Sequence, residues 1–138
     1  MGHPRLACQD LWVPPVHAPV LVVDDDDHLR SAVLALLEAS GYDAVAVSDG
    51  RQAFDLLQRG VMPRIILLDL TMPDMDGEHF RFVQLRHERL AAIPVVIFSG
   101  RSDAKEIGRS LGTEAVLEKP VDAEALLRAV ERHASQSA

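Results

Sequence analysis

The chain has 138 residues, 48% of them hydrophobic, which is enough for one core and too few for two. No run reaches the roughly 18 consecutive apolar residues a membrane helix needs, no signal pattern opens the chain, and the single cysteine, Cys8, excludes an internal disulfide framework or a cysteine-built zinc site. A formal charge of −7 speaks against a nucleic-acid surface, so one cytoplasmic domain is expected.

Residues 1–19 hold four of the eight prolines and neither the helical nor the strand period; they read as a flexible Pro-rich leader, in which Trp12 and Val13 could dock on the domain. From Val20 short apolar runs alternate with amphipathic stretches. VLVV (20–23) is followed by a helical pattern over about 28–39, where Leu29, Ala32, Val33, Leu36 and Leu37 share one stripe that ends at Gly41. AVAV (44–47) precedes a helix near 50–59, IILL (65–68) one near 77–90, VVIF (95–98) one near 103–111, and AVL (115–117) one near 122–133. The third of these helices carries Phe80 and Val83 on a core stripe that Phe82 and Leu85 widen, which reads as a broad buried face. A short tail, 135–138, follows a domain expected over 20–134.

The β-branched runs suit parallel strands buried on both faces. Five βα units predict an α/β fold, a doubly wound (βα)5 parallel five-stranded sheet in the flavodoxin-like order 2-1-3-4-5. That order places a site at the carboxyl ends of strands 1 and 3, where the chain reverses.

Asp24, Asp25, Asp26 and Asp27 follow strand 1, and Asp69 follows strand 3. Helix capping accounts for Asp26 or Asp27, but Leu70, Thr71, Met72 and Pro73 follow Asp69 instead of a helix. Two carboxylates about 4 Å apart repel by roughly 4 kcal/mol at an effective dielectric near 20, so the cluster needs a proton or a cation. A hard divalent ion with few protein ligands points to Mg²⁺ over Ca²⁺, and the same acids would repel a flavin phosphate. Ser99 and Gly100 end strand 4, offering a hydroxyl and room for a ligand. Lys119 ends strand 5 in a chain where twelve of 14 basic residues are arginine. A carboxylate, a divalent ion, a hydroxyl and a lysine are the parts of phosphoryl transfer through an aspartyl-phosphate. Histidines at 28, 79 and 87 lie on helical stretches and read as solvated or packed.

At this point the sequence resembles the response-regulator receiver domains of two-component signalling, on VLVVDDDD (20–27), LLDLTMPDMDG (67–77), IPVVIFSG (93–100) and EKP (118–120). The resemblance implies that Asp69 is the phosphoacceptor and that Asp25 and Asp69 ligate Mg²⁺ directly, with Mn²⁺ as a substitute. It implies that Asp24 acts through water, that the Thr71 carbonyl completes the ligands, that Ser99 is the switch hydroxyl, and that Lys119 contacts the phosphate before a cis bond to Pro120. Phosphate would come from a histidine kinase or a histidine phosphotransfer protein, and the downstream protein target is left open. Thr71 and Arg101 would border the crevice and tune phosphoryl lifetime, Arg101 by contact or by shielding from water. Monomer and weak dimer both stay open, as do a free-standing regulator and a receiver cut from a longer protein.

The chain departs from the family pattern on one flank. Val116 stands at the switch position where an aromatic is common, Val121 where Phe often follows KP, and the 20 positions from Ser99 to Lys119 are fewer than usual. Gly108 interrupts that interval, so the helix there is expected to be short or irregular. These departures favour atypical output, or an alternative in which the fold serves as a phosphorylation-independent interaction module. A haloacid-dehalogenase phosphatase would want an acid at position 71 and a cap domain; Thr71 and the length speak against it.

Overall fold

The computed structural model describes residues 18–134. Cys8, Trp12, Val13 and the tail lie outside the described residues. The elements in order are β1 (Val20–Val23), α1 (Asp27–Ala39), β2 (Ala44–Val47), α2 (Gly50–Gln58), β3 (Ile65–Leu68), α3 (Gly77–Leu85), α4 (Glu88–Ala91), β4 (Val95–Ser99), α5 (Ala104–Leu111), β5 (Ala115–Glu118) and α6 (Ala123–His133). All strands pair in parallel, in the order β2-β1-β3-β4-β5. This is the doubly wound sheet that the alternation predicts.

Helices cover both faces of the sheet. Val20, Val22, Ile65 and Leu67 point to one layer, packed with Val33 and Leu37 of α1 and Leu126 and Val130 of α6. Leu21, Val23, Ile66 and Leu68 point to the other, with Ala53, Leu57, Phe80 and Ala104 from α2, α3 and α5. The strand period of two thus feeds two separate cores from each run. Central strands β1, β3 and β4 are wholly buried, whereas β2 and β5 are half-buried edges. Both edge runs look as apolar as the central ones, but an edge strand has a neighbouring strand on one side only.

Ala18 and Pro19, in the stretch read as leader, already belong to the packed body. Ala18 is buried, and its carbonyl accepts from Arg64 Nε at 2.7 Å while that of Pro19 accepts from Arg64 N at 2.9 Å.

One expectation about a helix is corrected. The helix expected over 77–90 is two: α3 stops at Leu85, and His87 adopts extended backbone (φ −112°, ψ 112°) before α4. Gln84 is buried at the break and donates Nε2 to the carbonyls of Leu90 (2.8 Å) and Ile93 (3.1 Å), and Arg81 donates to Gln84 Oε1 at 2.8 Å. Arg81 also reaches the carbonyls of Leu111 (3.0 Å) and Gly112 (2.9 Å), tying α3 to the end of α5. Since Phe80, Arg81 and Gln84 occupy the buried side of α3, the broad apolar face fails: Phe82 is 60% and Leu85 46% exposed.

The helix expected to be short or irregular around Gly108 is α5, short at 8 residues and unbroken. A Cβ on Gly108 would come within 2.5 Å of Val116 Cγ2 and 3.1 Å of Thr113 Oγ1. Glycine here lets α5 lie close on β5 and does not mark an irregularity in the helix.

Candidate functional site

The parallel pairing carries β1, β3 and β4 side by side, so the residues after each strand meet at one end of the sheet. Asp69 N donates to Val23 O at 2.9 Å, continuing the β1–β3 ladder past its last paired residues. Asp24 N donates to Val47 O at 3.2 Å on the other side. Lys119 N donates to Ser99 O at 3.0 Å, which brings the end of β5 beside that of β4. The crevice therefore has a backbone frame built by sheet hydrogen bonds alone.

Gly77 closes its floor. A Cβ there would fall 2.3 Å from the Asp69 carbonyl oxygen, so only glycine lets the start of α3 come so near the loop after β3.

Within this frame the four consecutive acids separate by role. Asp24 is fully buried; Oδ1 accepts from Asp26 N at 2.8 Å and Oδ2 from Lys119 Nζ at 2.7 Å. Asp25 is exposed. Asp26 caps α1, accepting from His28 N (3.0 Å) and Leu29 N (3.1 Å), and Asp27 pairs with Arg30. One carboxylate oxygen from each of Asp24, Asp25 and Asp69 lies within 4.8 Å of the others.

Asp69 is 4% exposed; Oδ1 accepts from Thr71 N at 3.3 Å, and Oδ2 stands 3.5 Å from Lys119 Nζ. Burial, and then the charge of Asp24, push the Asp69 carboxyl above the usual carboxylate value, and Lys119 offsets only part of this. Burial works against the Lys119 cation, yet the hydrogen bond to Asp24 and the charges of Asp69 and Asp24 hold it above its ordinary value. One ammonium thus faces a cluster of three carboxylates and pairs with two of them, Asp24 and Asp69, which leaves negative charge in excess. That surplus, on hard oxygen donors within one another's reach, fits a divalent cation.

The remaining predicted residues fall around these. Ser99 is 1% exposed and its Oγ accepts from Arg101 N at 3.1 Å. Gly100 is exposed and lies beside Lys119, its missing Cβ 3.9 Å from that of the lysine. The Lys119–Pro120 bond is cis. Thr71 is exposed, with its amide turned to Asp69. The Arg101 guanidinium is held by Asp103 at 3.0 Å, with Glu78 at 3.6 Å. Val116 is not part of the crevice: it sits in β5 opposite Ile97, against Gly108. Val121 packs in the α1–α6 layer.

Two contributors escaped the sequence reading. Arg30 Nη1 donates to the Asp24 carbonyl at 2.8 Å while the same side chain pairs with Asp27, so it braces the turn carrying the acids. The signal was a basic residue one turn after an acidic run. Phe98, buried under the site, lies 5.3 Å from Lys119 Nζ by its ring centroid. Only tertiary structure reveals that contact.

Residues 20–131 match the sequence model of the response regulator receiver domain. The chain belongs to that family. Among curated relatives, this receiver is 35% identical to the two-component response regulator ORR5 of rice over 117 residues, covering 83% of the chain and 87% of the relative. It is 34% identical over 115 residues to the C4-dicarboxylate transport transcriptional regulatory protein DctD of Pseudomonas aeruginosa, covering 82% of the chain but 24% of that protein. The chemotaxis response regulator CheY4 of Vibrio cholerae superposes with a TM-score of 0.77 at 28% identity, covering 85% of this chain and 98% of that one. A response regulator receiver protein from Pseudomonas putida superposes at 0.78 with 31% identity, covering 86% and 98%. The protein is therefore a response regulator receiver of the kind used in two-component signalling. No helix among the described residues is long and apolar enough to cross a membrane.

Proposed function

We propose that this receiver accepts a phosphoryl group on Asp69 from the phosphohistidine of a histidine kinase or histidine phosphotransfer protein and changes its binding to a partner protein in response. The juxtaposition of Asp24, Asp69 and Lys119 carries this reading, because it puts a carboxylate nucleophile beside a cation that can follow the phosphoryl oxygens. In the step, an Asp69 oxygen forms a bond to phosphorus in line as the donor's P–N bond breaks, and the electron pair leaves with the imidazole. Water later attacks the phosphorus, the Asp69 O–P bond breaks, and inorganic phosphate leaves as the carboxylate is restored.

Lys119 is the phosphate contact, and it can exchange part of its bond to Asp24 for a phosphoryl oxygen. Ser99 supplies the hydroxyl. Asp24, Asp25 and Asp69, with the Thr71 carbonyl, are the residues to hold Mg²⁺ or Mn²⁺, which when bound offsets the charge shared by acceptor and phosphoryl group. Arg101 stands at the rim, held by Asp103 and Glu78. Output is atypical, since Val116 is seated against Gly108 in place of an aromatic free to swing.

Incubation with acetyl phosphate and Mg²⁺, followed by intact mass, is expected to show one acid-stable, base-labile phosphoryl adduct that Asp69→Ala lacks. An unmodified wild type, or an adduct that survives in Asp69→Ala, would leave the phosphorylation-independent interaction module as the better reading.

A further inference from the structure

The large apolar side chains most exposed among the described residues, Phe82 and Leu85, stand one turn apart on α3. Scattered surface leucines need no explanation, but Phe82 stacks with an arginine that lines a cavity. Arg86 lies 5.4 Å from the Phe82 ring centroid and also lines a hollow of about 510 Å³ with Leu57, Met62, His87, Arg89 and Leu90. The hollow is formed by the end of α2 and the α3–α4 corner, which lead into β3 and β4, so it lies at the opposite end of the strands from the acid crevice. Its volume falls in the range of about 300–1,000 Å³ that holds a ligand or an anchoring side chain.

Charge identifies the occupant. Among the described residues Arg86 and Arg89 form no ion pair, and both line this one hollow. Glu88 also lines the hollow, which still leaves the corner net positive on a chain of −7. An extended anionic membrane or nucleic acid would meet the negative charge of the whole molecule, whereas a short segment meets this corner alone. A second copy docked corner to corner by a two-fold axis would bring two net positive surfaces together. What fits is a local acidic surface with apolar anchors.

We propose that the α3–α4 corner docks an acidic amphipathic helix of a partner protein, its apolar side chains entering beside Leu57, Met62 and Leu90 and its carboxylates meeting Arg86 and Arg89. Helix-in-groove recognition supplies the apolar anchors, and guanidinium–carboxylate pairing supplies register. The surface lies outside the α5–β5–α6 flank, so it can be occupied whether or not Asp69 is modified.

The test uses the full chain, isotope-labelled, titrated with a synthetic helical peptide of Glu, Leu and Phe and with its Lys-for-Glu counterpart, each followed by NMR. The acidic peptide is expected to bind, with shifts confined to residues 57–62 and 82–90. Phe82→Ser with Leu85→Ser, and separately Arg86→Glu with Arg89→Glu, should each weaken it by about 10-fold or more, leaving the Asp69 adduct unchanged. Equal binding of the basic peptide, absence of binding, or shifts centred elsewhere would overturn the proposal. So would binding to phosphatidylserine vesicles through this corner, or a wild-type dimer in sedimentation that Phe82→Ser with Leu85→Ser dissolves.

Discussion

The acid crevice and the α5–β5 flank lie on neighbouring strands but are held by different physics. The crevice is a charge balance: Lys119 stands 2.7 Å from Asp24 and 3.5 Å from Asp69, and no apolar contact could replace it. The flank is a fit of sizes, with Gly108 giving up the space that Val116 fills. A charge balance tolerates small movements and fails when a group changes sign. A steric fit tolerates changes of charge nearby and fails on the addition of one carbon.

Substitutions can sharpen that difference. The largest effect is expected for Asp69→Asn, which should abolish the phosphoryl adduct in intact mass while the fold persists, because the amide is a poor nucleophile. Next comes Lys119→Met in metal-free buffer. It leaves the fully buried Asp24 without its cation and should cost about 2 kcal/mol in urea denaturation, below the full penalty of a buried pair because the lysine is a quarter exposed. Added Mg²⁺ should recover part of that loss.

Gly108→Ala should cost about 1 kcal/mol net, as overpacking against Val116 outweighs the gain in helix propensity. In a Val116→Ala background the same change should turn neutral or stabilising, and additivity of the two would break the steric account.

The pH dependence of Asp69 is smaller. Its folded-state pKa lies above the unfolded value of 3.8, so folding favours its protonated form, and its ionisation destabilises the fold as pH rises through that window. Asp69→Asn should therefore raise Tm at pH 7 without metal, and the gain should vanish as pH falls below 3.8. Smallest of all is Arg101→Ala. Its partners Asp103 and Glu78 are exposed, and thermal unfolding should not register the loss.

Much of the site was legible because its parts stand at strand ends, where topology turns sequence position into spatial position. Asp24 and Asp69 follow adjacent strands β1 and β3, so their proximity follows once the order 2-1-3-4-5 is granted. Arg30 and Phe98 were missed because each acts through a contact, with the Asp24 carbonyl and the Lys119 ammonium, that its own residue type does not announce. On α3 the apolar pattern misled: Arg81 and Gln84 bury because they satisfy four backbone carbonyls between them, and they leave Phe82 and Leu85 outside. Burial follows hydrogen-bond satisfaction as well as hydrophobicity.

By itself the sequence determined the five βα units, the sheet order and the residues gathered at its switch point, because strand period and crossover handedness leave few alternatives. Only the tertiary structure decided where α3 ends, which side chains it leaves in solvent and why residue 108 is glycine, because those depend on which atoms of distant segments compete for the same space.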